Sequence, residues 1–124
     1  MAIPILKQGD ILIASLQAAP TDRDLIQLKD ELAERIGHFR SRIVAIDVSA
    51  LDVMDSFATR TLRGIAHATK LRGANTVIVG IQPDVAFAMV QLGLTLDGIE
   101  TALDLDEGLA RMRPQQDGGT SDGR

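Results

Sequence analysis

The chain has 124 residues, a one-domain length, with 45% hydrophobic but only 2% aromatic residues, no cysteine and a formal net charge of −4. Its core must be aliphatic, which suits α/β layers. The acidic balance and the lack of Trp and Tyr argue against nucleic-acid partners. Disulfides, thiolate nucleophiles and most structural zinc sites are excluded, as fits a reducing compartment.

The N-terminus, Met1-Ala2-Ile3-Pro4-Ile5, lacks the basic and long apolar regions of a secretory signal. No apolar run approaches the roughly 20 residues that span a bilayer, so a soluble, cytoplasmic protein without a membrane partner is expected. Ile5-Leu6 before Gly9-Asp10 predicts an antiparallel edge strand, and Ile11-Leu12-Ile13-Ala14-Ser15-Leu16 the strand after the turn. Thr21 or Asp22 can cap a helix on which Leu25, Leu28, Leu32 and Ile36 recur at helical spacing, with Gly37 as its stop.

Ile43-Val44-Ala45-Ile46-Asp47-Val48 shows no alternation, as in a strand covered on both faces. A second helix is predicted from about Ser56 to Arg72, capped by Gly73, followed by the buried strand Thr76-Val77-Ile78-Val79-Gly80-Ile81. Pro83 pre-sets a third helix with a stripe of Val85, Met89 and Leu92. Glu100-Thr101-Ala102-Leu103 reads as a short last strand, and Asp104 or Asp106 begins a helix carrying Leu105, Leu109 and Met112. Residues 114–124 carry almost nothing to bury and are expected to be a disordered tail. The alternation of strand and helix predicts a single α/β domain over residues 3–113. Its sheet is mixed and mainly parallel, with an antiparallel N-terminal edge strand and about four helices.

Enzyme chemistry finds little support. His38 falls in a helix–strand connection, and His67 lies roughly 16 Å along the helix axis from Ser56, far beyond hydrogen-bond reach of about 3 Å. Asp55-Ser56-Phe57-Ala58 lacks the glycines of a nucleophile elbow, and Gly73-Ala74-Asn75 follows a helix instead of opening one. Asp52 and Asp55 read as caps or solvated loop charges, and no cofactor or metal is implied.

Ser56 stands at the start of the second helix, where unpartnered N–H groups and the helix dipole favour an added phosphate. It reads as a plain N-cap without a capping box, since Thr59 stands where Glu or Gln would be needed. Ser56, Arg60, Arg63, His67 and Lys70 step by four, three, four and three, which places them on one helix face. Ala58, Leu62, Ile65, Ala66 and Thr69 face elsewhere. The cationic row, with Asp55 and an exposed Phe57 beside the serine, is a candidate docking surface for an acidic partner; its alternative is a solvated helix face.

Several segments now fall into a familiar order: Ile3-Pro4-Ile5-Leu6-Lys7, Ile46-Asp47-Val48-Ser49, Asp52, Met54-Asp55-Ser56-Phe57, Gly73-Ala74, Gly80-Ile81-Gln82-Pro83 and Glu100-Thr101-Ala102-Leu103-Asp104-Leu105. Together they resemble the STAS domain of anti-sigma factor antagonists. More closely, they resemble the small single-domain scaffold of the bacterial stressosome, the RsbS type, from about Ile3 to Met112. The resemblance implies a non-enzymatic scaffold that binds a serine/threonine switch kinase of the histidine-kinase-like ATPase class and releases it when Ser56 is phosphorylated. It further implies a phosphatase that resets Ser56, and homo- and hetero-oligomers with sensor paralogues carrying C-terminal STAS domains. Two alternatives stay open: a free anti-sigma factor antagonist that captures an anti-sigma kinase directly, and an enzyme using a crevice at the strand ends.

Overall fold

The computed structural model describes residues 3–17 and 20–113; the predicted tail at 114–124 lies outside them. The elements run β1 (Ile5–Gln8), β2 (Ile11–Ser15), α1 (Asp22–Phe39), β3 (Ile43–Asp47), α2 (Ser56–Leu71), β4 (Asn75–Val79), α3 (Pro83–Gln91), β5 (Glu100–Ala102) and α4 (Leu105–Met112). The five strands form one sheet in the order β1-β2-β3-β4-β5. The β1–β2 hairpin is antiparallel and every later pair is parallel.

Each parallel crossover steps to the next strand in the same direction. Crossovers of one hand then bring their helices to the same side of the sheet. Leu25, Leu28, Leu32 and Ile36 of α1, Leu62 and Ile65 of α2, and Val85 and Met89 of α3 accordingly share one core with Leu12, Val44, Ile46 and Ile78. The opposite face, with Ile11, Ile13, Ile43, Ala45, Val77 and Val79, is covered by Leu105, Leu109 and Met112 of α4. Both sheet faces are buried, which accounts for strands that read as continuous apolar runs. Each enclosed Leu or Ile contributes about 1.5–3 kcal/mol of transfer free energy.

Three sequence expectations are corrected. Helix α1 continues through Gly37 and His38 to Phe39 and ends at Arg40, which takes a left-handed conformation with φ 55°. Gly37 is therefore interior, and its missing side chain leaves room for the Arg72 guanidinium from the end of α2. His38 belongs to the helix, its ring edge-on to Phe39 at 4.7 Å. Leu92, expected in the buried stripe of α3, caps that helix and is 69% exposed.

Two interior helix glycines make opposite predictions. A Cβ at exposed Gly64 of α2 would meet nothing within 4 Å, whereas one at Gly108 of α4 would stand 2.9 Å from Val79 Cγ1 and 3.3 Å from Val77 Cγ2. In urea titrations followed by circular dichroism, Gly64→Ala is expected to stabilise the fold by about 0.5–1 kcal/mol. Gly108→Val is expected to destabilise it by about 1–3 kcal/mol, because α4 must lift from the sheet.

The end of α4 is held by Arg113, whose Nη2 donates to Asp10 Oδ1 in the β1–β2 turn at 2.7 Å. The Arg113 hydrogen bond is the main cause that holds the Asp10 carboxyl below its ordinary value of 3.8. A carboxylate with a depressed folded pKa stabilises above its unfolded value and loses that contribution as pH falls through the folded one. Asp10→Asn is expected to lower stability slightly at neutral pH. Its difference from wild type should shrink as pH falls below 3.8 and vanish in acid titrations once the lower folded value is passed.

Candidate functional site

The loop from β3 to α2 places the predicted serine at the carboxyl end of the sheet. Ser49 N–H donates to Asp47 Oδ1 at 2.9 Å and Leu51 N–H to the Val48 carbonyl at 3.0 Å, which turns the chain back over the strand ends. Leu51 and Met54 point into the core, while Val53 between them is 69% exposed. A second loop locks the first. Gln82 Nε2 donates to the Ser49 carbonyl at 2.8 Å and reaches Asp52 Oδ1 at 3.4 Å. Gly80, at φ +82°, lets the two loops touch, since a Cβ there would come within 2.8 Å of Ser49 Cβ.

Asp55, not Ser56, is the N-cap of α2. Its Oδ1 accepts from Ala58 N–H at 2.8 Å, and its carbonyl accepts the Thr59 hydroxyl at 2.9 Å. The expectation of Ser56 as cap is thus corrected by one residue: Ser56 is the first helical residue, exposed, with no hydrogen bond to its hydroxyl among the described residues. The N–H groups of Ser56 and Phe57 stay unclaimed by the cap, because Asp55 spends its side chain on Ala58. Thr59 is fully buried and its hydroxyl is committed to the Asp55 carbonyl.

The rest of the row on α2 is divided by its surroundings. Phe57, expected to be exposed, is half-buried against the main core. With Arg60, Thr61 and Gly64 it walls a groove of about 350 Å³ whose other side is Ile26 and Lys29 of α1. Arg60 is exposed next to this groove, one turn beyond Ser56. Arg63 turns away: its Nη1 donates to the Thr95 carbonyl at 2.9 Å and tethers the loop after α3. His67 and Lys70 line a separate pocket near the far end of the helix. The arrangement near Ser56 therefore offers a free hydroxyl, the exposed apolar Val53 and the groove beside Phe57, with Arg60 as the adjoining cation. Sequence reasoning missed Val53; an apolar residue one position past Asp52, in a loop with no strand pairing, was its available signal.

The sheet order has no reversal among its parallel strands. A doubly wound sheet binds ligands in the crevice at such a reversal. Among the described residues no group of three or more His, Asp or Glu side chains could hold a metal ion, and no helix is long and apolar enough to cross a membrane.

A family model described as STAS domain matches residues 2–108. RsbS of Moorella thermoacetica carrying a serine-to-glutamate substitution is 38% identical, with a TM-score of 0.74 over 89% of this chain and 93% of that one. A chain of the stressosome, a signal integration and transduction hub, is 40% identical, with a TM-score of 0.72 over 88% and 95% of the two chains. The RsbT co-antagonist protein RsbRA of Bacillus subtilis is 28% identical over 83 residues. That match takes in 67% of this chain but 30% of RsbRA, so the chain spans under a third of that relative's length.

The division of labour between Asp55 and Ser56 is measurable. Asp55→Ala is expected to cost about 1 kcal/mol of stability by removing the cap, and Ser56→Ala to change it by less than about 0.5 kcal/mol. Urea midpoints of the two variants check this, and equal losses would contradict the assignment of the cap.

Proposed function

The chain belongs to the STAS domain family, and we propose that it is a non-enzymatic scaffold subunit of a bacterial stressosome that holds a switch kinase and releases it when Ser56 is phosphorylated. The observation that carries this reading is the exposed Ser56 hydroxyl at the first position of α2, relieved of capping by Asp55. Likeness at 38–40% identity to RsbS and to a stressosome chain supports the scaffold over a free anti-sigma factor antagonist. In the RsbS relative a serine is replaced by glutamate, a change that swaps a hydroxyl for negative charge.

The kinase partner, of the histidine-kinase-like ATPase class, docks around Asp55, Phe57 and Arg60, with Val53 as an added apolar contact, while Arg63, His67 and Lys70 of the predicted row are directed elsewhere. Phosphorylation adds nearly two negative charges beside the carboxylate of Asp55, with Arg60 the next cation along the helix. An acidic partner that the cations attract is then repelled at the rim of its interface. The fold is left unchanged, because the modified hydroxyl supports nothing. A phosphatase resets the site, and the particle forms in the cytoplasm.

Co-assembly with sensor paralogues draws support from α3. This helix is apolar almost all round, yet only Val85 and Met89 are buried, and Phe87 and Val90 are 65% and 75% exposed. A helix of that composition is ordinarily covered, and neighbouring STAS subunits are the proposed cover.

Intact mass and sedimentation with a cognate kinase, with and without ATP, test the reading. One added phosphate at Ser56 with loss of the kinase from a large particle is expected. Ser56→Asp should bind the kinase at least about 10-fold more weakly, a difference of 1.4 kcal/mol, and Ser56→Ala should retain it in the presence of ATP. A Ser56→Asp variant that binds as tightly as wild type would falsify the switch.

A further inference from the structure

We infer that a notch at the β5 edge of the sheet binds a small phosphate-bearing anion. Strand β5 is short and pairs only with Val77–Val79, so the first two residues of β4, Asn75 and Thr76, precede that pairing. The space beside them is a pocket of about 320 Å³, closed by α2 on one side of the sheet and by the end of α4 on the other. His67 and Lys70 line it from α2, Arg111 from α4 and Asn75 from the start of β4. These cationic and amide donors come from three separate elements in a protein of net charge −4.

The acidic group in the lining, Glu100, is already engaged: Arg111 Nη1 lies 3.5 Å from its Oε2. Arg111 also donates to the Thr101 carbonyl at 2.9 Å and meets Glu107 at 3.8 Å, which fixes the guanidinium at the pocket wall. His67 and Lys70 take part in no ion pair among the described residues. A cation finds one carboxylate here, and that one is occupied. A phosphate presents several acceptor oxygens to donors arriving from different directions; Lys70, His67 and Asn75 supply such donors, with Arg111 held at the wall by Glu100, Thr101 and Glu107. The volume exceeds that of the phosphate itself, and Ala66 and Met112 give a small apolar surface for a short organic remainder. His67 and Lys70 lie 11 and 14 residues along α2 from Ser56, about 16–21 Å, and the chemistry of the pocket does not depend on the scaffold reading.

The test is titration of the ¹⁵N-labelled chain at constant ionic strength with inorganic phosphate and with glycerol 3-phosphate, read in amide correlation spectra. Saturable shifts confined to His67, Lys70, Asn75, Thr76 and Gly98 are expected for at least one probe, with a Kd of a millimolar or tighter. Lys70→Glu should weaken binding about 10-fold or more. Lys7→Glu, the same charge change on strand β1 at the opposite edge, should alter it less than about twofold. Shifts that never saturate, shifts spread over basic residues elsewhere, or equal weakening by the two variants would each overturn the site.

Discussion

Everything at the working end of this molecule follows from parallel crossovers that always step the same way. That winding stacks α1, α2 and α3 on one face and brings the starts of α2 and α3 to the carboxyl end of the sheet. It leaves the other face bare, and α4 has to return across it. The missing side chain of Gly108 is part of that constraint, since α4 must lie flat on Val77 and Val79. The same winding puts no reversal of strand order among the parallel strands, the place where doubly wound sheets bind their ligands.

What the loops present is a fixed platform. Gln82 ties the loop before α3 to the loop before α2, and Gly80 permits the approach. Asp55 then absorbs the electrostatic and hydrogen-bonding demand of the helix start, which would otherwise recruit the serine. Rigidity and freedom are thereby assigned to adjacent residues: the backbone is held by Asp55 and Thr59, and the hydroxyl of Ser56 is left for other work. A modification at such a position changes the surface at little cost to the fold, as a reversible phosphoryl switch requires.

The strands and the inward stripes of α1 and α2 were legible in the sequence because apolar runs and 3.6-residue spacing report burial directly. Helix ends were less so. Gly37 resembles a stop, but Arg40 adopts the left-handed conformation in its place, and the glycine serves the passage of Arg72. Asp55 and Ser56 are both good caps on paper; only the geometry of Ala58 N–H separates them. Periodicity groups Arg63 with its neighbours on α2 but is silent about Thr95, 32 residues away, to which it is bound. Long-range partners of surface side chains carry no local signature, which also hides the packing of Phe57, whereas Leu92 falls outside the buried stripe because α3 ends one residue before it.

Helix α2 therefore carries two cationic regions of different character, Arg60 beside the serine and the His67–Lys70 pair at the pocket. The distance from Ser56 to the pocket decides whether the two ends act as one. A phosphate at Ser56 and one beside His67 and Lys70 would stand about 16–21 Å apart along the helix, two Debye lengths of roughly 8 Å or more at physiological ionic strength, so direct Coulomb coupling between them is largely screened. A mechanical link is also disfavoured. Thr69 and Thr76 join hydroxyls at 2.7 Å inside the structure, and Leu62 and Ile65 are fully buried, so α2 is pinned to the sheet between the two ends. Glu100 of β5 and Arg111 of α4 line the notch, so an effect of its occupancy on an assembly would pass through that edge of the sheet and not through the serine.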